Sequence, residues 1–349
     1  MAQAVCPSQS LALAPYTASP SLPHPHRSAM GGCCGRPAHR PSKYGDAEPE
    51  VPLVSVTPPC VGAFRRSYDD RLWLFSRSWE PEEQVKPWAT LMIVHGTVDH
   101  SGVNAELAER LRARGVAVFA SDMRGWGLSD GEPLYFPDVE VFAEDVLAEY
   151  RRIHANGSRY AGVKSRFLLG KSIGGLVAAW AAAQHRDLWT GLLGLSGAYS
   201  LAPQQRPAGW MVVALRALCS IVPQLPLKKP FDPALIVNDA AALQAWEEDP
   251  LVSRGKVTVA YIVELLRAME ELPARIEGLP VPVFMLWGTG DKVVSEEGHQ
   301  MMDEASTDTR SQFLRYPAGF HNLLAEPTLK DKVAADIEAW LAKLAEDVV

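Results

Sequence analysis

A serine at position 172 stands between two glycines, in Gly170-Lys171-Ser172-Ile173-Gly174, where the apolar run Phe167-Leu168-Leu169 gives way to the small-residue stretch 176–183. On such a strand-to-helix turn the backbone is strained and the serine Oγ is exposed, while the glycines let strand and helix pass close together. That arrangement makes a nucleophile. The same five-residue pattern recurs at Gly127-Leu128-Ser129-Asp130-Gly131, but Ser129 lies among Gly, Asp and Pro with no apolar run before it, and reads as a loop residue.

A serine nucleophile on such a turn takes its acid and its histidine from the ends of later strands, in the order Ser, Asp or Glu, His. Two places fit. The apolar run 281–288 ends in Thr289-Gly290-Asp291, and the run 312–317 ends in Ala318-Gly319-Phe320-His321. His321 is expected to take the Ser172 proton and return it to a leaving alcohol, while Asp291 holds the imidazole tautomer and stabilises its cation. The other eight histidines lie in the N-terminal leader, before the serine, or in helical surroundings. An oxyanion site is the fourth requirement. The buried-strand run 90–94 ends in the turn His95-Gly96-Thr97, so the backbone amides of Thr97 and Ile173 are the expected donors, and their side chains are expected to be free to vary.

Strand and helix patterns alternate through residues 90–200 and resume at 281, which predicts an α/β fold: a mostly parallel central sheet with helices on both faces. Helices are expected at 104–114, 138–156, 173–184, 296–305 and 328–347. The connection between the strand at 191–196 and that at 281 is too long for a simple crossover and is expected to be a helical cap insertion, about 200–275, within a domain of residues 51–349. Its stretch 209–225 is broadly apolar with a single charge at Arg216, and Pro223 interrupts a run shorter than the ~20 residues a membrane span needs. Two readings stay open: a helix that only closes the core, or a hydrophobic lip that meets a lipid surface with help from Lys228 and Lys229.

Further segments sharpen the reading. His95-Gly-Thr-Val-Asp-His100-Ser-Gly102, Asp122-Met-Arg-Gly-Trp-Gly-Leu-Ser-Asp-Gly131 and Glu248-Asp-Pro-Leu251 resemble the HGxxEHSG, DxxGxGxSxG and DPL segments of the monoacylglycerol lipase and lysophospholipase family of the α/β-hydrolase superfamily, with similarity from about Tyr68 to the C-terminus. The resemblance implies an α/β-hydrolase fold, Ser172, Asp291 and His321 as triad, and Thr97 and Ile173 as oxyanion donors. It implies release of a fatty acid from a monoacylglycerol, with glycerol as the other product, or from a similar single-chain ester, through an acyl-serine intermediate. Asp99 and, on the long connection, Trp210, Met211 and Tyr261 are the expected substrate contacts. The chain departs from the family at Lys171 (usually His), Ile173 (usually Met), Asp99 (usually Glu) and Val103-Asn104 (often Arg or Tyr). Cysteines that mammalian members carry near the active site are replaced by Ser253, Ala260 and Val294, so thiol reagents are expected to inhibit poorly.

Alternatives remain within and beyond that chemistry. A lysophospholipase or general carboxylesterase would use the same triad, and an acyltransferase would pass the acyl group to an alcohol instead of water. A binding protein on an inactive hydrolase is disfavoured because all three triad positions are filled. No cofactor or metal is expected, since nucleophile, base and oxyanion donors all come from the protein. A net charge of -7 argues against nucleic acid as a partner; a lipid substrate and a peripheral membrane surface are the expected partners. Residues 1–45 hold four of the 34 basic residues and none of the 41 acidic ones, so the first 50 or so residues read as a separate leader. It is a disordered segment, an organelle transit peptide, or, at Met30-Gly31-Gly32-Cys33-Cys34, a site for acylation at Gly31, Cys33 and Cys34. The expected location is cytoplasmic or peripheral to a membrane, with an organelle as the alternative that a transit peptide in residues 1–50 would give.

Overall fold

The computed structural model describes residues 42–52, 56–229 and 232–347; Gly31, Cys33 and Cys34 lie outside the described residues. Eight strands form one sheet: β1 (Val61–Arg66), β2 (Trp73–Trp79), β3 (Ala89–Val94), β4 (Val116–Ser121), β5 (Ser165–Lys171), β6 (Gly191–Leu195), β9 (Val283–Gly288) and β10 (Gln312–Tyr316), in the spatial order β1-β2-β4-β3-β5-β6-β9-β10. Two short strands between them in sequence, β7 (Pro226–Lys228) and β8 (Val257–Thr258), pair with each other. From β4 to β10 every pairing in the sheet is parallel, while β1–β2 and β2–β4 are antiparallel, so that β2 alone runs against the rest of the sheet. The reason lies in composition: β3, β6 and β9 are buried at every residue, as strands covered on both faces must be. The β1–β2 hairpin escapes notice in the sequence because Arg65, Arg66 and Arg77 break its apolar pattern.

Two apolar layers cover the sheet. One holds α1 (Ala105–Arg112) and α8 (Lys330–Glu346), where Trp340 stacks on Phe284 of β9 with ring centroids 5.1 Å apart. The other holds α2 (Val139–Ile153), α3 (Ile173–Gln184) and α7 (Glu296–Ala305), joined by α6 (Val259–Ile276) from the long connection. α3 is apolar all round because it is enclosed by sheet and neighbouring helices. α3 and α7 fall on their expected bounds, and α1, α2 and α8 end one to three residues inside theirs. Asp138 is the N-cap of α2, its carboxylate accepting from the Glu140 amide, and the helix stops before Gly157, whose φ is +87°.

The connection from β6 to β9 carries α4 (Gly209–Cys219), β7, α5 (Ala240–Glu248), β8 and α6. The apolar stretch after Gly209 is a helix only to Cys219; it then turns, and the carbonyls of Pro223 and Leu225 accept from Ala260 and Val259 at the start of α6. Residues 42–46, assigned above to the leader, are fastened to the body instead: Ser42 Oγ donates to Asp130 Oδ2 at 2.6 Å and Tyr44 Oη to the Leu128 carbonyl at 2.8 Å.

Candidate active site

β5 ends at Lys171 and α3 begins at Ile173, leaving Ser172 alone in the turn with φ 53° and ψ -125°. Such a conformation costs a non-glycine residue about 1–3 kcal/mol and persists only where the surroundings enforce it. Here they do. A Cβ on Gly170 would stand 2.2 Å from the Gly174 carbonyl oxygen, and one on Gly174 would stand 2.2 Å from the carbonyl oxygen of Val94 at the end of β3. Elbow, helix and sheet therefore meet backbone to backbone. The Ser172 carbonyl accepts from Gly175 and Ala198, both at 2.8 Å, and its amide donates to Leu195.

β9 and β10, adjacent and parallel, place Asp291 and His321 on neighbouring loops. Gly290 N donates to Gly319 O at 2.8 Å and Thr289 Oγ1 accepts from Ala318 N, so the two loops are tied to each other. Asp291 Oδ1 accepts from the Val293 and Val294 amides at 2.7 and 3.1 Å, which aims Oδ2 at His321 Nδ1, 2.8 Å away. His321 Nε2 lies 3.0 Å from Ser172 Oγ. All three side chains are buried. With Nδ1–H donating to the carboxylate, Nε2 is the acceptor for the serine proton, which is the relay a hydroxyl needs to become a nucleophile.

The turn after β3 closes on the elbow: a Cβ on Gly96 would lie 3.2 Å from Ser172 Cβ. Among the described residues, neither the Thr97 nor the Ile173 amide donates to a backbone carbonyl. His95 is buried and held as a neutral ring, Nδ1–H on the Gly96 carbonyl and Nε2 accepting from Met123 N, and burial pushes its pKa down. Ser129, the second serine in the glycine pattern, donates from Oγ to the Asp122 carbonyl at 2.6 Å and accepts from Phe75 N at 2.8 Å; it is a buried latch between loop and β2.

The expected substrate contacts divide. Trp210 and Met211 stand on the first turn of α4, Trp210 with 74% of its surface exposed. Tyr261 is buried in the first turn of α6 and its hydroxyl is 2.5 Å from Thr97 Oγ1, so the Thr97 side chain, expected to be free, has a partner. Asp99 Oδ2 is 3.0 Å from Lys171 Nζ and both side chains are buried. Burial alone would raise the Asp99 carboxyl, but the Lys171 charge holds it below the ordinary carboxylate value. Two of the family departures read in the sequence are thus each other's partners. Sequence reasoning missed this pair, and it missed Trp126 and Trp246, whose Nε1–H groups donate to the carbonyls of Thr97 and Val98. Among the described residues no group of three or more His, Cys, Asp or Glu is placed to hold a metal ion, and no helix is long and apolar enough to cross a membrane.

The family Hydrolase_4 (serine aminopeptidase, S33) matches residues 85–328, a span that holds the elbow, both loops and the whole connection. The chain belongs to this family. The Hydrolase_4 chain is 29% identical over 275 residues to the monoglyceride lipase of Homo sapiens, covering 78% of this chain and 88% of that one. It is also similar to the crystal structure of a monoacylglycerol lipase from Paleococcus ferrophilus, with a TM-score of 0.69, 25% identity, and 78% and 99% of the two chains covered. A soluble variant of the monoglyceride lipase of Saccharomyces cerevisiae, solved with a substrate analogue, shares the fold at a TM-score of 0.71 and 19% identity, over 85% and 99% of the chains.

Proposed function

We propose that this serine hydrolase cleaves the ester bond of monoacylglycerols, releasing a fatty acid and glycerol. The observation that carries the reading is the buried relay Asp291–His321–Ser172 on a strained elbow, supported by the monoacylglycerol lipases to which the chain is similar. Ser172 Oγ attacks the acyl carbonyl as His321 Nε2 takes its proton, and Asp291 stabilises the imidazolium that forms. The amides of Thr97 and Ile173 receive the tetrahedral oxyanion. Fixed donors need no reorganisation there, and losing one costs roughly 10²- to 10³-fold in turnover. Collapse expels glycerol with the His321 proton; water, deprotonated by His321, then attacks the acyl-serine and frees the fatty acid.

A neutral head group suits the site better than a phosphate. Lys171, the nearest cation to the nucleophile in sequence, is committed to Asp99 at 3.0 Å, and Lys228 and Lys229 are exposed on the insertion. That insertion acts as a cap over the site, and its outer face supplies the membrane contact. Trp210, Met211, Val213, Ile221, Val222 and Leu225 are exposed together on α4 and the turn after it, an apolar surface of the kind that seats in a lipid interface.

The deciding experiment is fatty-acid release from 1-oleoylglycerol, lysophosphatidylcholine and a short p-nitrophenyl ester, with Ser172→Ala as control. Preference for 1-oleoylglycerol, absent in Ser172→Ala, is expected. An active Ser172→Ala protein overturns the assignment of the nucleophile, and preference for the lysophospholipid overturns the substrate.

A further inference from the structure

Residues 96–100, which carry the Thr97 amide, are gripped from two sides. The body of the hydrolase supplies Trp126 Nε1–H on the Thr97 carbonyl at 2.5 Å and Lys171 on Asp99 at 3.0 Å. The insertion supplies three more contacts. Tyr261 Oη of α6 bonds Thr97 Oγ1 at 2.5 Å. Trp246 Nε1–H of α5 donates to the Val98 carbonyl at 2.9 Å. Asp249, at the end of α5, takes His100 on Oδ2 at 2.9 Å. The tautomer of that histidine is fixed: Nδ1 accepts from Gly102 N at 3.1 Å, so Nε2 carries the proton it donates to Asp249. Val98 is buried in an apolar cluster whose other members, Ile236, Val252 and Trp246, all belong to the insertion. Its own anchor is braced in turn, with Arg254 donating to the Trp246 carbonyl at 2.8 Å and Asp249 Oδ1 accepting from Leu251 N at 2.8 Å.

An oxyanion donor works only while its N–H is held to within a fraction of an ångström of the developing charge. Three fastenings on the donor's own loop, at Thr97, Val98 and His100, come from an insertion that takes no part in the relay. We infer that Tyr261, Trp246 and Asp249 are positioning residues for catalysis: the insertion, besides covering the site, sets the place of the Thr97 amide, so that the oxyanion hole is complete only while α5 and α6 are seated. The inference rests on the proposed role of Thr97. It gives the His100-Ser-Gly102 and Asp249-Pro-Leu251 segments one task, since their side chains bridge the loop to the cap.

The test uses Trp246→Phe and Tyr261→Phe, which each delete one hydrogen-bonding group and keep the apolar bulk. Turnover of p-nitrophenyl acetate, whose acyl group is only two carbons long, is measured per active site titrated with a fluorophosphonate, alongside Ki for a short trifluoromethyl ketone that forms an oxyanion adduct. Each variant is expected to lower kcat about three- to tenfold with KM within about twofold, and the pair together about ten- to a hundredfold, because loss of position costs turnover without costing ground-state binding. Ki is expected to rise in parallel with the fall in kcat/KM. Thr97→Val combined with Tyr261→Phe should be no worse than Tyr261→Phe alone, since both remove one contact. Unchanged kcat per titrated site with altered KM or melting temperature overturns the inference and leaves the cap as cover only. A wild-type protein that neither turns over the ester nor binds the ketone overturns the functional reading, and this inference with it.

Discussion

Removing the Lys171 charge should destabilise the protein through the carboxylate it leaves behind. Lys171 and Asp99 lie 3.0 Å apart with side chains 3% and 7% exposed, so neither charge recovers hydration when its partner is lost. Breaking a buried pair from one side costs about 3–5 kcal/mol, whereas replacing both partners with apolar groups is often neutral. For a domain of this size that corresponds to about 5–8 °C in melting temperature. The pH dependence gives the cause away. In the wild type the Asp99 carboxyl is held below its ordinary value, so its contribution is present above the unfolded carboxyl pKa and is lost as pH falls through the folded one. In Lys171→Met the chief counter-charge is gone and burial pushes the carboxyl up, so Asp99 takes a proton on acidification and its penalty fades. Urea unfolding followed by fluorescence of the ten tryptophans should therefore show a gap between wild type and Lys171→Met that is widest at pH 7 and narrows towards pH 4. Lys171→Met with Asp99→Leu should recover most of the loss. A gap independent of pH, with the double variant as unstable as the single, would mean that shape and not charge is at stake, and would refute the reasoning.

Four further outcomes are expected. Ser129→Ala should cost about 1–3 kcal/mol in urea unfolding by stranding the Phe75 amide, yet keep turnover, since Ser129 serves the loop. Gly170→Ala should lose both fold and activity, because its Cβ would meet backbone at 2.2 Å on the far side of the elbow; soluble, active protein would contradict the packing described. Burial among Tyr199, Trp287 and Phe313 holds His299 down at a pKa of about 4; its contribution is whole above about pH 6.5 and drains between there and pH 4, at up to about 1.4 kcal/mol per pH unit, and His299→Phe should flatten that part of the stability profile. Trp210→Ser with Ile221→Ser should weaken binding to sedimented phospholipid vesicles and slow hydrolysis of vesicle-borne 1-oleoylglycerol, while p-nitrophenyl acetate turnover stays within about twofold.

What was legible in the sequence was whatever a single strand carries with it. Ser172, Asp291 and His321 each follow an apolar run, and a buried parallel strand is recognisable by that run alone; once β5, β9 and β10 are placed, the residues at their ends are placed too. The β1–β2 hairpin was not legible because Arg77 is buried in it beside Asp122, and a charged residue inside a strand hides the strand. Ser129 lies in a loop, as its Gly, Asp and Pro neighbours predict, but its burial and its bond to the Phe75 amide depend on β2, which the apolar pattern does not announce.

The contacts on residues 96–100 are hidden for a different reason. Tyr261 lies 164 residues from Thr97, Asp249 lies 149 from His100, and Trp246 lies 148 from Val98; each is a lone side-chain bond with no periodicity to announce it. Their segments were visible as motifs, but a motif names residues and not partners. Lys171 and Asp99 illustrate the point most plainly. Taken one at a time, each is a departure from the family pattern; taken as a pair 3.0 Å apart, they are one buried ion pair, in which changing either partner alone leaves the other charge uncompensated. A variant that restores only one of the two family residues, Lys171→His or Asp99→Glu, should therefore be less stable than one that restores both, and equal stability of all three would dissolve the pair into two unrelated replacements.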